Sequence, residues 1–158
     1  MNRSTVVLGL SFLLGCAGTE PSLPPAEVTA SPEILRLGLL PSRTELRPTD
    51  DLIVHVYATN PGSVPVVSRV DCRHYGLGLI LRSPEGAVED VFTSIPPCKV
   101  PNLPPNLRIA AGATDSAVYG WSPFARGKSP GDYQLQVVYR TLDGVVPGQT
   151  VALRFLPP

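Results

Sequence analysis

The sequence predicts an all-β protein of about eight short antiparallel strands, and three observations lead there. Apolar residues alternate with polar ones in several separate runs, as they must where one face of a strand is buried. Turn signals interrupt these runs roughly every 8–15 residues, and no stretch carries a convincing helical period. The composition agrees: 19 prolines, 14 glycines and only 16% charged residues in 158 favour strands joined by many turns. An antiparallel sandwich or a barrel satisfies this pattern.

In chain order, Leu35, Leu37 and Leu39 face one way in a first strand that Pro41 ends. Leu52, Val54, Val56 and Ala58 then alternate with Ile53, His55 and Tyr57, the clearest period of two. Asn60-Pro61-Gly62-Ser63 is a turn by composition, and residues 64–70 start a return strand. Residues 77–82 form a strand that Ser83-Pro84-Glu85-Gly86 turns into another over 88–93. The following segment, 94–106, holds five prolines and cannot pair within a sheet, because each proline lacks a ladder donor. A short strand over 107–110 turns through Ala111-Gly112-Ala113-Thr114 into 116–121, where Trp121 is expected as a core anchor between the sheets. Tyr133, Leu135, Val137 and Tyr139 mark the next strand, and Val151, Leu153 and Phe155 the last. Ahead of Tyr133, Pro130-Gly131 suits a turn with positive φ at the glycine, leaving the tyrosine to satisfy its hydroxyl at a sheet corner.

The N-terminus reads as an export and anchoring signal. Arg3 supplies a positive start, and residues 6–14 supply an apolar run of about nine, too short for a membrane-spanning helix, which needs about twenty. Leu13-Leu14-Gly15-Cys16 follows and resembles the lipobox of bacterial lipoproteins, although Leu14 stands where a smaller residue is commoner. That resemblance implies a signal peptide over 1–15 and a diacylglycerol thioether on Cys16, which becomes the mature N-terminus. Acyl chains add about 0.8 kcal/mol of membrane affinity per buried methylene. Ala17, in place of an aspartate, points to the outer membrane. Residues 16–34, rich in proline, form an extended tether, and 35–158 form the folded domain.

With Cys16 assigned to lipid, Cys72 and Cys98 remain, an even pair in an oxidising compartment and therefore an expected disulfide. The bridge would close about 27 residues and stabilise by roughly 3–4 kcal/mol. A metal site on Asp71-Cys72-Arg73-His74 would need further convergent ligands, and His55 and His74 are the only histidines. No metal and no cofactor are expected.

Several segments in order resemble the intracellular proteinase inhibitor (BsuPI-like) class of bacterial immunoglobulin-like domains. They are Val54-His55-Val56-Tyr57-Ala58-Thr59-Asn60-Pro61, Val64-Pro65-Val66, Leu79-Ile80-Leu81-Arg82-Ser83-Pro84-Glu85-Gly86, Ile109-Ala110-Ala111-Gly112, Gly120-Trp121 and Ser129-Pro130-Gly131-Asp132-Tyr133-Gln134-Leu135. The resemblance spans a little over half of the chain. It implies an antiparallel immunoglobulin-like β-sandwich of about eight strands, and proteinase inhibition as an alternative activity. The chain differs from that class in its export signal and its cysteine pair.

The charge balance, 13 cationic against 13 anionic residues, gives no basic surface for nucleic acid. Catalysis needs a base held beside a nucleophile, yet His55 sits mid-strand on a polar face and Glu89-Asp90 point to opposite faces. Asp50-Asp51, Glu85 and Glu89 lack the dense spacing of a calcium site and read as solvated turns. The expectation is a non-catalytic envelope module that binds another envelope or extracellular protein. Its candidate binding loop is Lys99, Val100, Pro101, Asn102, Leu103, Pro104 and Pro105, stiffened by proline and held at its base by Cys98. In the inhibitor reading, Lys99 would enter a trypsin-like pocket. The loops around Asn60 and Arg126 are next in line.

Overall fold

Two sheets share one apolar interior in the computed structural model, which describes residues 29–69, 76–91 and 106–158. A single 3₁₀ turn, Pro32–Ile34, precedes ten strands. They are β1 (Arg36–Pro41), β2 (Glu45–Leu46), β3 (Leu52–Thr59), β4 (Val66–Arg69), β5 (Gly76–Arg82), β6 (Val88–Asp90), β7 (Asn106–Ile109), β8 (Thr114–Trp121), β9 (Gly131–Thr141) and β10 (Gly144–Phe155). One sheet has the order β1-β3-β8, the other β2-β10-β9-β5-β6, and β4 with β7 makes a separate ribbon.

The first edge strand is shared between the sheets. β1 runs antiparallel to β3, from Arg36↔Thr59 to Pro41↔Val54. Pro41 then ends the ladder, and the chain crosses so that β2 lies parallel to β10, with Leu46 opposite Phe155. Ser42 N–H to Ile53 O (2.7 Å) and Arg154 N–H to Thr44 O (2.7 Å) hold the crossing on both sides. This division, with β9 between β10 and β5 and a three-stranded sheet behind, is the immunoglobulin-like sandwich.

The core follows from the period of two. Along β3, Leu52, Val54, Val56 and Ala58 are buried while Ile53, His55 and Tyr57 face out. Leu79, Leu81, Leu135, Val137, Tyr139 and Leu153 meet them from the other sheet. Each large side chain buried this way contributes about 1.5–3 kcal/mol. The outer face of the second sheet has its own small cover. Arg140 lies across Gly78, where a Cβ would stand 2.1 Å from its guanidinium, and reaches Asp90 at 2.7 Å. Val138, on the same outer face, is buried as well.

The sandwich of about eight strands holds; the described residues carry ten, the two-residue β2 being an added piece that follows β1 across to the other sheet. Several finer expectations change. Residues 64–70 do not return beside β3; Val66–Arg69 runs against Asn106–Ile109, with Val66 opposite Ile109. The strand expected over 88–93 ends at Asp90. The last strand starts at Gly144, well before Thr150, since a bulge between Pro147 and Thr150 interrupts its alternation. Folded structure also begins before Leu35, because Ala30 bridges Val66 and its N–H bonds to Pro65 O at 2.9 Å.

Asn60 closes the end of the sandwich where β3 leaves for β4. Its side chain is fully buried. Nδ2 lies 2.9 Å from Val64 O and 3.1 Å from both Ile109 O and Ala110 O, while Oδ1 accepts Gly62 N–H at 2.9 Å. Its backbone N–H donates to Ala113 O and its carbonyl accepts Gly112 N–H. Asn60→Ala strands these buried groups and should cost about 2–4 kcal/mol in urea denaturation. Asn60→Asp keeps the Gly62 bond but turns its second oxygen toward three carbonyls, which raises its pKa. Stability of that variant should therefore be highest at low pH and fall as pH rises through the folded value, whereas Asn60→Ala shows no such slope.

Candidate functional site

An aromatic ladder runs across one end of the sandwich. Tyr119 and Trp121 on β8 have ring centroids 6.1 Å apart, and Trp121 and Phe124 lie at 5.3 Å. Phe124 meets Phe155 of β10 edge-on at 5.9 Å, and Phe155 stacks on Tyr133 of β9 at 4.2 Å. Such pairs add about 0.5–1.5 kcal/mol each beyond area burial. The ladder ties the loop over 122–130 to both sheets.

Backbone bonds hold the same loop. Phe124 N–H donates to Asp50 O at 3.1 Å, and Lys128 N–H to Ala125 O at 3.1 Å. The Asp50 carboxylate accepts Arg47 N–H at 2.8 Å and pairs with Arg43 at 3.3 Å. The Arg47 N–H bond, helped by Arg43 against a little burial, holds this carboxyl below its ordinary value. Asp50 thus serves the turn that supports Phe124. At the far end Tyr133 OH donates to Ser129 O at 3.0 Å, the tyrosine corner anticipated from Pro130-Gly131. Gly131 has φ +150°, and a Cβ there would stand 2.9 Å from Pro84, so a larger residue is excluded twice.

Between this loop and the end of β6 lies an open cleft of about 340 Å³. Trp121 and Phe124 form its apolar side; Glu89, Asp90, Ser122, Arg126 and Lys128 form its polar rim. Lys128 bonds to the Glu89 carboxylate and holds its ammonium 5.9 Å from the Phe124 ring. Asp90 is engaged by Arg140. The two carboxylates on β6 are therefore each paired with a different cation. Arg126 is exposed and has no ion-pair partner among the described residues. The arrangement is mainly polar: it offers the Ser122 hydroxyl, the Glu89 and Asp90 carboxylates and, among the described residues, one guanidinium without an ion pair, with the Trp121 and Phe124 rings largely covered beneath.

The predicted site residues fall differently. Cys16, Cys72, Cys98 and the loop from Lys99 to Pro105 lie outside the described residues, as does His74. The loop's flanks are described: Val91 borders the cleft and Asn106 begins β7. His55 is exposed on the outer face of β3, where its ladder neighbours are Leu40 and Val118 and its in-strand neighbours Ile53 and Tyr57. Trp121 is half-buried and packs against the core from its end, as part of the ring chain between the sheets; Tyr139 is the fully buried aromatic. β8 is an edge strand among the described residues, which leaves its inward side chains covered on one side only. Phe124 and Lys128 were not anticipated. Their signal is slight, two large aromatics around a proline in Trp121-Ser122-Pro123-Phe124 where a plain turn would be polar.

No protein-family model matches the chain, and no curated protein matches it in sequence. Among solved structures it is similar to the Pseudomonas fluorescens alkylpurine DNA glycosylase AlkC (TM-score 0.49, 9% identity, 77% of this chain and 30% of that one). It is also similar to the β-glucosidase EmGH1 from Erythrobacter marinus (TM-score 0.47, 14% identity, 77% of this chain and 16% of that one). A third similarity is to the CARDB domain of the PF1109 protein from Pyrococcus furiosus (TM-score 0.43, 9% identity, 77% and 87%). The chain thus spans under a third of the first protein and about a sixth of the second. The fold assignment rests on the sheet topology.

The ladder's two phenols connect the site to pH. Burial, aided by Asp115, pushes the Tyr119 hydroxyl above its ordinary value; burial, then Glu85 and Glu89, does the same for Tyr133. A raised folded pKa means stability that is complete below the unfolded value, about 10, and lost as pH climbs through the folded one. Urea midpoints should therefore fall above about pH 10, and Tyr119→Phe should flatten that fall while its lost bond to Leu77 O (3.0 Å) lowers the midpoint at neutral pH. An unchanged alkaline slope in Tyr119→Phe would show that the phenol does not contribute.

Proposed function

We propose that the chain is a non-catalytic binding module of the bacterial cell envelope, held to a membrane by lipid on Cys16. The observation that carries the binding half is the cleft beside Trp121. It is concave, built on a loop pinned at both ends, and its Glu89 and Asp90 carboxylates are already committed to cations. Carboxylates paired in this way suit fixed polar contacts to a ligand, which supports the binding reading. Support for the envelope half comes from Arg3, the apolar run and Leu13-Leu14-Gly15-Cys16. The Cys72–Cys98 disulfide fits the same compartment. The proline-rich segment from Lys99 to Pro105 lies outside the described residues, and its composition alone keeps it as the candidate binding loop.

Labelled palmitate should be incorporated by the full chain in its host, and Cys16→Ser should abolish labelling and release the protein from membranes. Continued labelling of that variant would remove the anchor. Mass spectrometry of protein from unreduced envelope should recover one Cys72–Cys98 peptide pair; free thiols at both positions would exclude the bridge.

For the binding half, the full chain should recover a partner from envelope extract. Replacing residues 99–105 with Gly and Ser should weaken that recovery sharply while costing only about 1 kcal/mol of stability. Unchanged recovery would place binding elsewhere. Tight inhibition of a trypsin-like enzyme, lost in Lys99→Ala, would replace this reading with proteinase inhibition.

A further inference from the structure

We propose that the free edge of β10 over residues 144–147 is a peptide-binding groove, which takes an extended, basic segment of another protein as an added strand. The groove shares no lining residue with the Trp121 cleft and stands independently of it.

The edge of β10 that faces away from β9 is covered along its second half only. β2 pairs with it at Arg154 and Phe155. Ahead of that, Leu39 N–H donates to the Gln149 side-chain oxygen at 3.1 Å. β1 also packs on Gly148 so closely that a Cβ there would collide with Leu37. From Gly144 to Pro147 the strand has β9 on one side and no ladder partner on the other among the described residues. In an antiparallel ladder every second residue turns its N–H and C=O away from the partner strand, so this stretch leaves main-chain groups facing outward. Such an edge is a template for one more strand.

Between this edge and residues 31–33 lies a groove of about 440 Å³. Its walls are largely apolar: Val145 is 53% exposed, Pro147 is exposed, and Pro32 and Val146 are half-buried. The Thr141 hydroxyl is already engaged, accepting Asp143 N–H and donating to Gly144 O, both at 3.2 Å. A small polar ligand would find few side-chain partners here. A strand instead satisfies itself on main-chain groups and lays alternate side chains against valine and proline. Both walls are held before anything binds. Ala30 N–H to Pro65 O (2.9 Å) and Leu35 N–H to Pro32 O (3.0 Å) fix one side, and Leu142 N–H to Arg69 O (2.9 Å) fixes the hairpin on the other. Binding therefore does not have to order the groove.

Charge selects the segment. The ionisable residues lining the groove are Glu33 and Asp143, with no cation among them. Glu33 is exposed and has no ion pair among the described residues. Asp143 meets Arg69 at 3.5 Å, but the two side chains are 66% and 68% exposed, so water screens most of that pairing. A lysine or arginine on the added strand would gain from both carboxylates. A second copy of this chain is a poor occupant. Pairing the edge with itself would crowd both carboxylates of each copy around one short ladder, and each Pro147 would withhold a donor from it.

The full chain would be titrated, with amide NMR shifts as the readout, against a short synthetic peptide in which valine alternates with lysine. Two control peptides carry glutamate in place of lysine, or methyl groups on the amide nitrogens of the lysine peptide. The lysine peptide should give saturable shifts at Glu33, Gly144, Val145 and Val146, and none at Ser122 or Lys128 beside the Trp121 cleft. The glutamate peptide should bind about tenfold more weakly, and added salt should narrow that gap. The methylated peptide, without ladder donors, should not bind. Glu33→Gln combined with Asp143→Asn should bind the lysine and glutamate peptides alike. Should the double variant fail to fold, Glu33→Gln alone, on an exposed side chain, should still narrow the difference. No saturable response to the lysine peptide overturns the proposal. Undiminished binding of the methylated peptide overturns the added strand, and equal or tighter binding of the glutamate peptide overturns the basic partner. Shifts at 144–146 that grow with protein concentration alone, with a dimer in sedimentation, assign the edge to a second copy and reject the proposal.

Discussion

Asn60 joins the ribbon of β4 and β7 to the sheet that holds β3 and β8, two units that no sheet ladder connects. β3 ends one residue before it, the ribbon of β4 and β7 begins and ends around it, and the turn into β8 passes its backbone. Each of these segments brings carbonyls into a place without water, and unmatched carbonyls there would cost more than the turn gains. One primary amide supplies donors and an acceptor in the required directions. The crossing between sheets at this end is possible because those groups are answered, and the depth of the sandwich core depends on that closure. Valine or leucine at the position would fill the space and leave the carbonyls bare.

At the opposite side of the loop system the solution is apolar. Five rings, Tyr119, Trp121, Phe124, Phe155 and Tyr133, run from one sheet to the other. Tyr133 ends the ladder with its hydroxyl bonded to the backbone of the loop it packs beneath. The core-forming residues thereby hold a surface loop, and the loop's remaining side chains are free to point outward. Arg126 and Lys128 flank the cleft because Phe124 and Ala125, just before them, are buried. Packing and presentation alternate along a few residues of one loop.

The outer faces of the two sheets are finished in different ways. On the five-stranded sheet Arg140 crosses Gly78 to reach Asp90. On the three-stranded sheet Leu40, Ile53, Tyr57 and Val118 remain exposed around His55, with Tyr57 laid over Gly38. Glycine serves both sheets by allowing a long side chain to lie flat on the backbone.

Much of the strand content was legible because burial on one face imposes a period of two, and β3 and β9 display it without interruption through Val54, Val56, Leu135 and Val137. The tyrosine corner was legible for the same local reason: Pro130-Gly131 sets the turn and Tyr133 lies within reach of it. β10 was half hidden, since the bulge after Pro147 breaks the alternation that would reveal it. Strand partners were not legible. Residues 66–69 pair with a segment some forty positions away, and no residue in either carries a mark of the other. The cleft was hidden for the same reason, because Glu89, Trp121 and Lys128 meet only when β6 and the loop after β8 reach one end of the fold. The sequence by itself determined which residues face inward, where the chain must turn, and the unbalanced placement of apolar and cysteine residues at its start. Those properties depend on a residue and its near neighbours. Which strands pair, that Trp121 packs at the end of the core beside a cleft, and which cations meet Glu89 and Asp90 were decided by the tertiary structure, since each depends on what distant segments bring alongside.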